Sequence, residues 1–458
     1  MPDKDVIIVG GGISGLSALH FLRQLHPDMS VTLYEADNRL GGTIGTDHVD
    51  GYSLDWGPNG FLDREPLTLR LVDELGLKDV MEPANANVSN RFILRGNRLR
   101  SVPMSPPKFM ASDILSVKGR LRVMWEPFAK GPTDGVDESI YDFGRRRIGR
   151  EAADYLIQPM VSGVYGGVAQ RLSLKSCFPV MDQMEREYGS LVKAMIAKAR
   201  KAKAEGKKSG GPGGPGGWLT SFNGGLYPLV ERHMKLYAGH IVTGSPIESI
   251  TKDAQGYTVK TKGGATDTAR IVILALPTNN AADISGQLSP KLVDAFNSIP
   301  YAPISVVCLG YAETAVRSKL DGFGFLVPQK ENRRLLGSIW TSSIFDARAP
   351  EGKVQFRSMV GGDGDHESMD LSDDELVATV KRELDEILGI DGNPELVRLY
   401  RWKYGIPQFR IGHSKILDRI ESELTSLGDI YVTGNAYHGI GLNDCIKQSY
   451  KVVNSIKA

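Results

Sequence analysis

The chain has few cysteines, almost no net charge and no long apolar run, and each shortage excludes a class of protein. Three cysteines among 458 residues give neither a disulfide framework nor metal-ligand spacing, and they favour a reducing compartment. The formal net charge of +1 creates no field that would attract nucleic acid. No window approaches the roughly 18 consecutive apolar residues of a membrane span. The eight histidines show no ligand spacing, so we expect no metal.

The remaining composition is that of an ordinary globular protein. Hydrophobic residues make up 41% and charged residues 24% of the chain. Its length is too great for a single hydrophobic core, so we expect two or three domains. Because an apolar strand is predicted from residue 5, we expect no signal or transit peptide.

The strongest motif lies in the first 35 residues. The apolar run 5–9 predicts a buried parallel strand, and G-x-G-x-x-G follows at once as Gly10, Gly12 and Gly15. A predicted helix and a second strand then lead to Glu35. In such a motif the first glycine makes a tight turn, the second admits a pyrophosphate and the third lets the helix approach the strand. With an acid placed to bind ribose hydroxyls, the pattern predicts a dinucleotide at the helix N-terminus.

Later motifs carry a resemblance to a known family. Arg39-Leu40-Gly41-Gly42-Thr43 resembles the extended FAD fingerprint of the flavin amine oxidase superfamily. Gly57-Pro58-Asn59-Gly60 resembles the flavin-side loop of its protoporphyrinogen and coproporphyrinogen oxidase family. Further matches run in order from Gly163-Val164-Tyr165-Gly166-Gly167 through residues 322–328 to residues 434–445, and so span nearly the whole chain. The chain departs from that family at Gly166, where alanine is usual, and at Val168, where an acid or asparagine is usual.

The resemblance implies FAD as the cofactor, held without a covalent bond because Cys445 lies down the terminal helix. Trp402 is expected beside the flavin, although a core tryptophan is an equal alternative. The expected cofactor-binding residues are Gly10, Gly11, Gly12, Ile13, Ser14, Gly15, Glu35, Arg39, Gly42, Thr43, Gly57, Pro58, Asn59, Gly60, Ile247, Trp402, Asn435, Ile440, Gly441 and Leu442.

The resemblance also implies a porphyrinogen pocket. Arg91 would hold a substrate carboxylate, Phe323 and Leu326 would form walls, and Gly163 would let the backbone approach the ring. The alternative for Arg91 is a strand arginine that faces solvent. No catalytic side chain is expected, because flavin N5 takes the hydride.

The implied reaction is the oxidation of protoporphyrinogen IX to protoporphyrin IX in haem biosynthesis. Six electrons would leave in three flavin turns, and oxygen would be reduced to peroxide. Oxidation of coproporphyrinogen III to coproporphyrin III is the main alternative, because both activities share every motif quoted. More distant alternatives are an amine oxidase, a carotenoid desaturase and a non-enzymatic carrier of lipidated partners.

The expected fold is α/β and multidomain. A Rossmann-like FAD domain would use residues 1–57, 218–290 and 415–458. A mixed-sheet substrate domain would use residues 58–90 and 291–414. Residues 91–217 would form a helical domain that ends in a flexible glycine- and proline-rich linker, 206–217.

The helical domain raises the question of membrane binding. Residues 102–130 mix bulky apolar side chains with lysine and arginine, and basic residues recur over 193–208. Docking on an anionic membrane and packing within the protein are both open interpretations. Residues 181–204 predict one helix, and the arginines at 145–147 predict a solvated helical face. We expect a cytoplasmic protein, peripheral on the inner face of the cell membrane, with a homodimer and product transfer to a chelatase as further expectations.

Overall fold

The computed structural model describes residues 2–103, 105–132, 135–204 and 217–457, so the linker predicted at 206–217 lies outside the described residues except for Gly217. The strands are β1 (Lys4–Val9), β2 (Val31–Tyr34), β3 (Thr46–Val49), β4 (Tyr52–Asp55), β5 (Phe61–Leu62), β6 (Met81–Pro83), β7 (Asn90–Arg95), β8 (Arg98–Ser101), β9 (Leu219–Phe222), β10 (Ile241–Val242), β11 (Ile247–Lys252), β12 (Tyr257–Thr261), β13 (Thr266–Leu274), β14 (Tyr301–Ala312), β15 (Gly322–Leu326), β16 (Leu335–Trp340), β17 (Lys353–Gly361), β18 (Leu396–Pro407) and β19 (Ile430–Val432). The α-helices are α1 (Ile13–Leu25), α2 (Pro66–Glu74), α3 (Pro106–Ala111), α4 (Val117–Met124), α5 (Ile140–Ile148), α6 (Arg150–Ala152), α7 (Gln158–Tyr165), α8 (Leu174–Cys177), α9 (Pro179–Tyr188), α10 (Leu191–Ala204), α11 (Pro228–Tyr237), α12 (Thr278–Ile284), α13 (Pro290–Asn297), α14 (Thr341–Ile344), α15 (Asp373–Leu388), α16 (His413–Leu427) and α17 (Leu442–Ser455).

The first sheet is built around β1. Its order is β10-β2-β1-β13-β12-β11, with β19 also paired to β13, and β1 is parallel to both β2 and β13. Alternate residues of β1 point to opposite faces: Val6 and Ile8 lie in one hydrophobic core, and Ile7 and Val9 lie in another. Both faces of β1 are therefore covered, which explains its continuous apolar run.

The second sheet is mixed and has the order β18-β14-β17-β16-β15-β7-β8. Helix α15 packs on it and begins with a capping box formed by Ser372 and Glu375. The predicted domain boundary at residue 91 falls inside β7, which pairs in parallel with β15 and antiparallel with β8. Residues 90–101 therefore belong to this sheet, while the division into three domains stays a prediction.

Two predictions about the helical segment are wrong. The single helix expected over residues 181–204 is two helices, α9 and α10, because Gly189 ends α9 in the left-handed conformation with φ +68°. The arginine run is also not a wholly solvated face: the side chains of Arg145 and Arg150 are 61% and 79% exposed, but Arg147 is fully buried and its Nε donates to Glu126 at 2.8 Å. Arg146 lies 2.6 Å from the carboxylates of both Glu138 and Glu185. Ion pairs with Glu126, Glu138 and Glu185 therefore stabilise Arg146 and Arg147 away from solvent.

Candidate active site

The glycines of the fingerprint form a cradle at the N-terminus of α1. Gly10 has φ +108°, and a Cβ on Gly15 would lie 1.9 Å from the Gly10 carbonyl oxygen. Both positions therefore require glycine for the turn and for close helix packing. A Cβ on Gly12 would meet nothing within 4 Å, and one on Gly42 would lie 3.4 Å from the Gly12 Cα. The two turns thus lie side by side, and Gly12 borders open space, where a pyrophosphate would fit against the free N–H groups of α1.

Glu35 lies at one end of this cradle. Its carboxylate accepts hydrogen bonds from the backbone N–H groups of Gly11 at 2.6 Å and Asp37 at 2.9 Å. Its carbonyl oxygen accepts from the N–H of Ser245 at 2.9 Å, two residues before Ile247. The predicted ribose-binding acid and the predicted adenine-side residue are therefore brought to the same end of the site.

Arg39 holds the second turn rather than reaching away from it. Its guanidinium donates to the carbonyl oxygens of Leu40 at 2.8 Å, Ile44 at 2.8 Å and Gly42 at 2.6 Å. It also lies over the ring of Trp56, 4.4 Å from the centroid. Arg39 thus fixes the backbone shape that exposes Gly42 and Thr43.

The Gly57–Gly60 loop continues from this turn. A Cβ on Gly57 would lie 2.3 Å from the Thr43 carbonyl oxygen, so the loop packs directly on the fingerprint. The indole N–H of Trp402 donates to the Trp56 carbonyl at 3.2 Å, which brings Trp402 to the same loop. Trp56 Nε1 and Asn59 Nδ2 are buried donors without a partner among the described residues. An acceptor-rich group such as a flavin fits this surplus of donors.

The C-terminal motif joins the cradle through α17, whose N-cap is Gly441. Ser449 donates to the Ser14 carbonyl at 2.8 Å, and Asn443 donates to the Leu62 carbonyl at 2.8 Å. These bonds tie the helix to the start of α1 and to β5. The positive end of α17 would favour negative charge on a reduced flavin. Burial raises the pKa of Asp444 in the first turn of this helix.

The four predicted substrate residues form two contacting pairs, each with one member on β15. The Arg91 guanidinium lies 5.0 Å from the centroid of the Phe323 ring, and a Cβ on Gly163 would lie 2.5 Å from Leu326 Cδ2. Phe323 and Leu326 are three apart on β15, where a register shift lies between Gly322 and Phe325. That irregularity lets both side chains stay half-buried while Phe325 enters the core. Burial lowers the pKa of Arg91, which nevertheless stays charged at neutral pH.

A buried charged group that the sequence did not predict lies beneath the Gly57 loop. It consists of Asp55 on β4, Arg348, and Arg357 on β17. The only signal was alternation: polar Gln355 and Arg357 interleave with apolar residues along β17. That pattern ordinarily indicates a strand with one solvated face, but here the polar side chains donate to the backbone of residues 53–57.

The chain is similar to known proteins over nearly its whole length. The family model described as flavin containing amine oxidoreductase matches residues 13–456. A coproporphyrinogen III oxidase from Bacillus subtilis is 30% identical over 465 residues, with 98% of this chain and 97% of the relative covered. Protoporphyrinogen oxidase 1 of Arabidopsis thaliana chloroplasts is 32% identical over 467 residues, with 98% and 87% covered.

A solved structure extends the comparison to the fold. A protein from Exiguobacterium sp. 255-15, described as a candidate protoporphyrinogen oxidase, has a TM-score of 0.83 at 24% identity, with 99% of each chain covered. The predicted fold class, family and cofactor are thereby confirmed, whereas the individual binding residues stay predictions. This chain belongs to the flavin-containing amine oxidoreductase family, and its cofactor is FAD.

Proposed function

We propose that the protein oxidises protoporphyrinogen IX to protoporphyrin IX and that oxygen is reduced to peroxide. The observation that carries the proposal is that Arg91 lies over Phe323 and Gly163 lies against Leu326, so that β15 carries one apolar side chain next to a cation and another next to a glycine. A porphyrinogen has the matching chemistry, because it is a large apolar ring that bears carboxylates. The names of the Arabidopsis and Bacillus relatives support a porphyrinogen as the substrate.

These residues would bind and orient the ring. Bound FAD supplies the hydride acceptor, so no side chain is required to act as a nucleophile. Arg91 would hold a propionate through two parallel hydrogen bonds, a geometry that lysine cannot copy. Phe323 and Leu326 would exclude water from the ring, and Gly163 would leave room for it.

Coproporphyrinogen III is the second candidate, and the Bacillus relative favours it. This substrate carries four carboxylates and therefore needs more cationic partners than protoporphyrinogen does. Aerobic turnover of both porphyrinogens by the FAD-loaded protein, followed by porphyrin fluorescence, tests the proposal. We expect a larger kcat/KM for protoporphyrinogen. A larger value for coproporphyrinogen would assign the chain to the second activity, and turnover of neither would refute both.

We further propose that the protein works in the cytoplasm, peripherally on the inner face of the cell membrane. Across the described residues, no helix is both long and apolar enough to cross a bilayer. An exposed apolar ridge is formed by Leu121, Met124, Trp125 and Phe128, of which Trp125 is 61% and Phe128 73% exposed. Buried Glu126 lies within the ridge and accepts the N–H of Leu191 at 3.0 Å, so the ridge and basic helix α10 are held together. Such a surface combines apolar insertion with attraction to anionic lipid.

Flotation with vesicles that contain anionic lipid tests the membrane proposal. We expect the wild-type protein to float with the vesicles, and high salt to release part of it. The double variant Trp125→Ser/Phe128→Ser should remain unbound, whereas Leu236→Ser, at an exposed apolar position on α11, should bind like the wild type. Equal flotation of both variants, or no flotation of the wild type, would contradict the proposal. A homodimer and transfer of the product to a chelatase also remain proposals, to be tested by light scattering and by product-trapping assays.

A further inference from the structure

Arg357 connects the second sheet to the Gly57 loop. Its side chain is 5% exposed, and its Nε donates to the Asp55 carbonyl oxygen at 3.2 Å. Its Nη2 donates to the Gly57 carbonyl oxygen. Two residues earlier on β17, Gln355 makes an analogous bond from Nε2 to the Ser53 carbonyl at 2.9 Å. One face of β17 therefore holds the chain from residue 53 to residue 57 through its backbone.

The charges around this contact do not balance. Asp55 is 2% exposed and lies 3.5 Å from Arg348, which is fully buried. The ion pairs of the described residues provide no carboxylate partner for Arg357. Two buried arginines thus face one buried aspartate. Burial lowers the pKa of Arg357, but a guanidinium stays charged in proteins, so one buried positive charge is in excess. Such a charge is costly unless a negative group approaches it.

The position of the Gly57 loop indicates which group that is. Glu35 marks the adenosine end of the cradle, and Gly12 and Gly42 mark its centre. Gly57 packs against Thr43, on the other side of Gly42 from Glu35 along the chain. The Gly57 loop therefore lies toward the flavin end of FAD.

We propose that Arg357 is a positioning residue for the flavin. It fixes the Gly57 loop and supplies a permanent positive charge that stabilises the negative charge of the reduced flavin. Neutral Gln355 holds the preceding strand β4 at Ser53 but supplies no charge. The inference depends on FAD binding and not on the identity of the substrate, so it stands or falls separately from porphyrinogen oxidation.

The test is the flavin midpoint potential of the FAD-loaded protein, measured for the wild type, Arg357→Met, Arg357→Lys and Gln355→Met. Apoprotein Tm and FAD Kd are measured alongside. We expect Arg357→Met to lower the equilibrium constant for flavin reduction about 10- to 100-fold, which is about 30–60 mV for a two-electron couple. Arg357→Lys keeps the charge and should change that constant less than twofold. Gln355→Met breaks the contact to Ser53 on β4 without changing charge, so it should lower Tm but leave the potential near that of the wild type.

Three results would overturn the proposal. The first is an unchanged potential in Arg357→Met, and the second is an equal fall in Arg357→Lys. The third is an equal fall in Gln355→Met, which would assign the effect to backbone geometry alone. If Arg357→Met yields no folded protein, Arg357→Gln takes its place and the same three comparisons decide.

Discussion

Two single variants, Gly12→Ala and Gly15→Ala, should separate cofactor binding from folding. Gly12 has φ −72° and ψ 178°, which alanine adopts freely, and a Cβ there would meet no atom within 4 Å. The free energy of unfolding of the apoprotein should therefore change by no more than about 0.5 kcal/mol. At Gly15 a Cβ would lie 1.9 Å from the Gly10 oxygen and 3.3 Å from the Ala275 Cβ. Overpacking of this kind costs about 1–3 kcal/mol or more.

Gly12→Ala, which should leave the stability of the apoprotein nearly unchanged, should weaken FAD binding. In Gly12→Ala the methyl group occupies the space where the pyrophosphate meets the α1 N–H groups. Loss of one hydrogen bond to a charged group costs about 1.5–3 kcal/mol, so FAD Kd should rise about 10- to 150-fold. Calorimetry of the apoproteins and flavin-fluorescence titration give the two quantities. Wild-type FAD affinity in Gly12→Ala, or apoprotein destabilisation equal to that of Gly15→Ala, would refute this account of the cradle.

Three further predictions concern the buried ion pair, the substrate anchor and the flavin linkage. Glu126→Gln removes one of the two carboxylates that face buried Arg147, the other being Glu185, and should cost at most about 3–5 kcal/mol in urea unfolding. Burial alone would raise the pKa of Glu126, but hydrogen bonds from Ser190 and Arg147 lower it overall. The stability that ionised Glu126 contributes is therefore complete above the unfolded pKa of 4.5 and is lost as the pH falls through the lower folded pKa. The Glu126→Gln variant has no carboxyl group to titrate there and should not show this loss. Arg91→Ala should raise KM about 10- to 150-fold with a smaller change in kcat and unchanged flavin content, and an unchanged KM would place the anchor elsewhere. Acid precipitation should leave yellow FAD in the supernatant, whereas colour in the pellet would mean covalent attachment through a residue such as Cys445.

The sequence predicts those strands and helices whose ends are determined by residues close together in the chain. Strand β1, predicted over residues 5–9, differs from its observed bounds by one residue, because an apolar run followed by glycines defines it locally. The split between α9 and α10 was missed because Gly189 inside a helical pattern can be either tolerated or terminal. The burial of Arg147 was missed because its acids, Glu126 and Glu185, lie far away in sequence.

In the candidate site, too, the features that depend on nearby residues were predictable and those that depend on distant residues were not. The turns at Gly10, Gly15 and Arg39 were predictable, because each conformation is fixed within a few residues. The half-buried state of both Phe323 and Leu326 depends on an irregular strand pairing that no alternation rule provides. Arg357 could not be singled out because its acceptors are backbone oxygens some 300 residues earlier. Because every residue has a backbone carbonyl, residue types do not show which carbonyls accept these hydrogen bonds.

The stoichiometry of aerobic porphyrinogen oxidation tests the central claim most directly. FAD-loaded protein is mixed with protoporphyrinogen IX, and porphyrin fluorescence, oxygen consumption and peroxide are followed together, with boiled protein to correct for spontaneous oxidation. Removal of six electrons through a two-electron flavin predicts three oxygen molecules consumed and three peroxide molecules formed for each porphyrin. Porphyrin formation no faster than in the boiled control, with neither protoporphyrinogen nor coproporphyrinogen oxidised, would contradict the assignment.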